Sequence, residues 1–145
     1  MTPENEAKKQ YLLRYRQAER EIRLLHEELA QLESMAVRVT PSYSGEAHGS
    51  GSGSRVESAT EKIDACKAEI NQATSTAMDI QREVMAAIAT VPDGRLRELL
   101  RRRYILGQKW EQIAWEMSLE FRWVRRLHGR AIAVLTLESP PKSVL

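Results

Sequence analysis

The sequence predicts an all-α protein, a long antiparallel helical hairpin followed by a small helix-turn-helix domain. Three observations carry that expectation. Two stretches repeat apolar residues at alternating steps of three and four, as a helix with one buried seam requires. A third stretch breaks into short segments whose small and β-branched residues have helix-turn-helix spacing. Breaks containing proline and glycine separate the three.

The first stretch places apolar or small residues at Tyr11, Tyr15, Ala18, Ile22, Leu25, Leu29, Leu32 and Ala36, an unbroken heptad seam. Arg, Glu, Gln and Lys fill the intervening positions, and all favour helix. A helix over 3–37 would be roughly 50 Å long at about 1.5 Å per residue. Thr40-Pro41-Ser42 ends it, because proline disfavours a helical residue before it. Gly45 to Ser54 (GEAHGSGSGS) has flexible-linker composition, so a linker is expected over 40–55. The second stretch repeats the seam at Val56, Ala59, Ile63, Cys66, Ile70, Ala73, Ala77, Ile80, Val84, Ala87 and Val91 and predicts a helix over 56–91. Its alanines let a partner helix approach closely, and the Tyr, Ile and Leu of the first helix suit the gaps. Neither helix is stable alone in water. A hairpin over 1–91, or two copies assembled into a bundle, satisfies both seams, which makes a homo-oligomer, simplest a dimer, the expected state.

Val91-Pro92-Asp93-Gly94 then punctuates the chain, opening a helix-turn-helix domain expected over 92–137. Leu96, Leu99, Leu100 and Tyr104 line one face of a short helix that stops near Gly107. Lys109 to Met117 reads as a second short helix and Glu120 to about Leu137 as a third, with a disordered tail over 138–145.

Within WEQIAWEMSLEFRWVRRLHG, each position has a steric reason. Ala114 falls where two helices approach most closely. Ser118 falls at the tight turn, where a positive φ favours glycine. Val124 packs the last helix onto the one before it, and Ile113, Met117, Leu119 and Leu127 complete the small core. Trp110 anchors the middle helix against the Leu99–Tyr104 helix. Phe121, Arg122, Arg125 and Arg126 then remain outward, with Trp123 beside them, His128 on an outer face and Arg130 one turn beyond.

Charge supports that division. Between Gly94 and Arg130 ten basic residues face four acidic ones, so this quarter of the chain carries +6 while the whole carries +2. Such asymmetry suits a phosphate-binding surface on a neutral scaffold. Arginine can pair with the O6 and N7 edge of guanine in the major groove, which makes Arg122, Arg125 and Arg126, with Phe121 outward beside them, the candidate base readers of double-stranded DNA. Arg102, Arg103, Lys109, Gln112, Trp123 and Arg130 are placed for the backbone, where contacts give affinity without sequence information. An arginine-rich face could instead meet an acidic protein.

Other functions find little support. His26, His48 and His128 are scattered, with no ligand-spaced neighbour, so no metal is expected. No nucleophile–base pair and no phosphate-cradling glycine run is present, so neither enzyme activity nor a cofactor is expected. Cys66 is the only cysteine and reads as a small buried hydrophobe. No stretch is apolar enough for a membrane span, and the first ten residues lack a signal-peptide core; a cytoplasmic protein is expected. Trp115 and Trp123 fall on the outer part of the domain, as contact residues do.

The run from Arg95 to Leu135 resembles region 4 of sigma-70 family transcription factors, through EQIAWEM, VRRLHGRAI and the closing Leu135. The shared positions are Glu111, Ile113, Val124, Arg125, Arg130, Ala131 and Leu135. That resemblance puts the family's promoter contacts on Phe121, Arg122, Arg125 and Arg126. Three positions depart from the pattern: Glu120 replaces a Ser/Thr N-cap, Phe121 stands where arginine is common, and Ser118 replaces glycine. Nothing corresponds to sigma region 2, and a heptad hairpin stands in its place. With the wording RRRYILGQKWEQIAWEM, the arrangement is similar to small phage and prophage proteins akin to the ArpU-like and RinA-like late transcriptional regulators. The resemblance implies a sequence-specific activator that recruits RNA polymerase on the nucleoid of a bacterial host. Two alternatives stay open: a small terminase-type DNA-packaging subunit, and a protein-binding adaptor or inhibitor of host polymerase.

Overall fold

The computed structural model describes residues 1–39 and 51–137, and among them there are five helices and no strand. They are α1 (Pro3–Val39), α2 (Gly51–Ala89), α3 (Gly94–Tyr104), α4 (Trp110–Glu116) and α5 (Phe121–Val134). The expected linker over 40–55 is shortened at its far end, because α2 already begins at Gly51. Glycine and serine have low helix propensity, but extending a helix that already exists costs far less than nucleating one. The remainder of that linker, 40–50, and the expected tail over 138–145 lie outside the described residues. At its other end α2 stops at Ala89, two residues short of the expected limit. Thr90 and Val91 there donate to Ala87 and Ile88 in a tightened last turn, and Pro92 cannot continue the helix.

The chain divides into two compact units, one of Met1–Gln17 with Ala77–Leu145 and one of Ala18–Thr76. The second unit has a narrow core. Leu25, Cys66 and Ile70 are buried there, with Leu29, Leu32 and Ala73 half-buried against them. All six are expected seam positions. The Cys66 thiol donates to the Leu25 carbonyl at 3.6 Å. Burial, joined by the charges of Glu69, Glu28 and Glu33, pushes its ionisation upward, so the thiol behaves as a hydrophobe rather than a nucleophile.

The first unit has the larger core. Leu12 of α1 and Val84, Ala87 and Ile88 of α2 are buried in one cluster with Leu99, Leu100 and Tyr104 of α3. Ile113 and Ala114 of α4 and Val124, Ala131 and Ile132 of α5 belong to the same cluster. An expected boundary at Val91/Pro92 therefore runs through this core, since the ends of both long helices contribute to it. Every expected seam residue of α1 and α2 is buried or half-buried. Leu12 and Ile88, each one residue past a seam position, are fully buried as well. Both belong to a wider apolar face, because here the long helices pack on the short ones as well as on each other.

Polar contacts tie the same elements together. Arg14 pairs with Glu83, and the Gln81 amide donates to the Tyr15 hydroxyl at 3.3 Å. Lys8 donates to the Ala133 carbonyl at 3.2 Å, joining the start of α1 to the end of α5. The Thr136 N–H donates to the Thr90 hydroxyl at 2.9 Å. The Arg16 guanidinium lies where a side chain on Gly107 would project, and Gly107 itself has φ +69°.

Candidate nucleic-acid interface

The geometry of α5 depends on three local devices. Asp93 caps α3, its carboxylate accepting from the N–H groups of Arg95 at 2.8 Å and Leu96 at 3.4 Å. Arg97 donates to the carbonyls of Val91 and Pro92, holding the start of α3 against the end of α2. Between α4 and α5 the chain makes a Schellman turn. The Leu119 N–H donates to the Ala114 carbonyl at 2.9 Å and the Ser118 N–H to the Trp115 carbonyl at 3.2 Å.

Ser118 in that turn has φ +54°, the left-handed conformation expected of this position. Its side chain is exposed, so its part in the turn is played by the backbone alone. Ser118→Gly is expected to raise stability by about 1 kcal/mol, measured as the midpoint shift in urea unfolding. A loss of stability would mean that the hydroxyl contributes something the turn geometry does not show.

α5 then presents two unlike faces. Val124, His128, Ala131 and Ile132 point inward and are buried. Phe121, Arg122, Trp123, Arg125, Arg126 and Arg130 are exposed. Glu120 is the N-cap in an extended conformation, and its carboxylate makes no capping hydrogen bond. The guanidinium groups of Arg122, Arg125 and Arg126 have no partner among the described residues. Arg130 lies 5.4 Å from the centre of the Trp123 ring.

The expected backbone contacts separate into two kinds. Lys109 and Gln112, at the start of α4, are exposed. Arg102 and Arg103 have partners within the protein. Arg102 donates to Glu98 at 3.2 Å and to the Gln108 side chain at 3.5 Å. Arg103 donates to the Gln108 carbonyl at 3.0 Å and stands 4.3 Å over the Trp110 ring. Arg103 thereby links Trp110 to α3.

His128 is the correction. Its expected place was an outer face, but it is 6% exposed, with Nε2 2.7 Å from the Tyr104 hydroxyl and the Trp110 ring set edge-on at 4.7 Å. Its spacing explains this: four residues after Val124 and three before Ala131 is the buried face of α5. Burial, with Lys9, Arg103 and Arg125 nearby, pushes the imidazole down to about 4. Burial pushes the Tyr104 hydroxyl well above its ordinary value, partly opposed by Arg103. Both groups are therefore neutral at pH 7 and share one hydrogen bond. The signal in the sequence is the spacing from Val124 through His128 to Ala131, which runs along one face of α5.

Ile113, Ala114, Met117 and Val124 are buried, and Trp110, Leu119 and Leu127 are half-buried against the same cluster. Among the described residues no group of His, Cys, Asp or Glu is arranged to hold a metal ion, and no helix is long and apolar enough to cross a membrane. No family model, curated protein or solved structure matches the chain.

Proposed function

We propose that this chain is a sequence-specific DNA-binding transcriptional regulator, an activator of phage or prophage genes that recruits RNA polymerase in the manner of a sigma factor. One observation carries the DNA-binding part: Arg122, Arg125 and Arg126, without a partner among the described residues, stand beside Phe121 on the exposed face of a helix whose other face is buried. An α-helix fits the major groove of B-DNA, where paired arginine bonds distinguish guanine from other bases. Lys109, Gln112, Trp123 and Arg130 flank that face and suit phosphates. Arg102 and Arg103 then act from within, bracing the connection between α3 and α4 rather than reaching for the backbone. The polymerase and the phage setting rest on the resemblance to sigma region 4 and to the late regulators. A single reading helix buries little surface, so a second copy or a polymerase contact supplements its affinity.

The test is in vitro selection of bound duplexes, followed by affinity measurements on selected and random DNA. The double variant Arg125→Ala with Arg126→Ala is expected to lose about a hundredfold or more on the selected site, since each paired contact discriminates by about 1–3 kcal/mol. Lys109→Ala is expected to weaken all duplexes alike and to reduce the salt slope by about one. Equal loss on selected and random DNA in the double variant would reject base reading.

A further inference from the structure

Trp115 projects from α4 with 84% of its surface exposed. It lines an open hollow of about 570 Å³ with Ala114, Leu119, Glu111 and Glu120. The carboxylates of Glu111, Glu116 and Glu120 have no ion pair or hydrogen bond among the described residues. The carboxylates and indole of this face suit a cation set beside an apolar group.

The same unit carries a surface of that chemistry. A hollow of about 400 Å³ on α3 is lined by Arg97, Glu98, Arg101, Arg102, Ile105 and Leu106. Leu106 is an apolar side chain that is 61% exposed. Glu98 is neutralised by Arg102, and Arg97 is held by the carbonyls of Val91 and Pro92. Arg101 is left with a guanidinium that has no partner among the described residues.

We infer that Trp115 and its carboxylate rim on one copy dock into the Arg101–Leu106 hollow on α3 of a second copy. The two surfaces differ, so the contact is head to tail: one copy keeps its α3 hollow and the other its Trp115 face for a further neighbour. One tryptophan buries about 150–250 Å², a small interface that is weak in free solution. It gains weight when copies are held side by side, because a neighbour then sits at high effective concentration. This inference is independent of which DNA, if any, the arginine face of α5 reads.

Sedimentation equilibrium at low salt, from ~10 μM to ~1 mM protein, tests it in the range where such contacts register. The mean mass of the native chain is expected to climb across that range. Trp115→Ala, Arg101→Glu and the double variant Glu111→Arg with Glu120→Arg are each expected to flatten the climb. All four side chains are exposed, and an unchanged thermal unfolding curve shows that the fold is intact. An equal mixture of Arg101→Glu with the Glu111/Glu120 variant is expected to recover association, since each partner retains the surface the other has lost. A dimer formed elsewhere on the chain would shift every curve alike. The inference is overturned by a native mass that does not climb, by variants that climb as the native chain does, or by a mixture that stays flat. It is equally overturned if Trp115→Ala lowers DNA affinity and leaves the mass curve unchanged.

Discussion

Leu12→Ala is expected to lower the stability of its unit by about 3 kcal/mol, the range in which buried leucines fall when a cavity is left behind. Leu12 has no exposed surface and packs in one cluster with Val84, Ile88 and the inward faces of α3, α4 and α5. Leu24, on the same helix, is about half exposed, and its alanine variant is expected to stay within about 0.5 kcal/mol of the native chain. Urea unfolding followed by helical circular dichroism compares the two. Equal small losses would show that the start of α1 is not part of the core that supports α5. A fragment of 92–137 alone would lack Leu12, Val84, Ala87 and Ile88, and α3 to α5 would face water on the side those residues cover.

Acid is expected to remove a comparable amount of stability through one side chain. The imidazole of His128 titrates near 4 in the folded protein against an ordinary value of 6.5. As pH falls, the unfolded chain takes up this proton first, so the native state loses ground. The contribution of His128 is whole above about pH 6.5, declines between 6.5 and 4, and is gone below. Its size is about 3 kcal/mol, from the rule of 1.36 kcal/mol per pKa unit. His128→Gln keeps a polar partner for the Tyr104 hydroxyl and cannot titrate. Unfolding midpoints at pH 7 and pH 4.5 should differ much less in that variant than in the native protein. The same pH slope in both would assign the acid sensitivity to other groups.

The parts of this structure that sequence reasoning reached are those where one face of one helix meets one partner. The seam of α1 and α2 is of that kind, and so is the turn at Ser118, where a single backbone conformation leaves few residue choices. The Ala114 and Val124 positions follow from the same close approach. What escaped lies where a helix has more than one neighbour. Leu12 and Ile88 look like flanking residues in a two-helix seam and become core only because α3 to α5 cover them. His128 belongs with them, since its burial needs both Tyr104 and Trp110, which come from other elements. Arg102 and Arg103 carry the same lesson for the candidate interface. Their charge is visible in the sequence, whereas their engagement with Glu98, Gln108 and Trp110 is a product of the fold.

The position of Cys66 has a further use. It is the only cysteine in the chain, and it sits in the narrow core between α1 and α2 with its sulfur turned toward the Leu25 carbonyl. A thiol reagent reaches that sulfur only after the two helices part locally. The rate of labelling is therefore a clock for the breathing of this one unit, read from a native residue without an introduced probe.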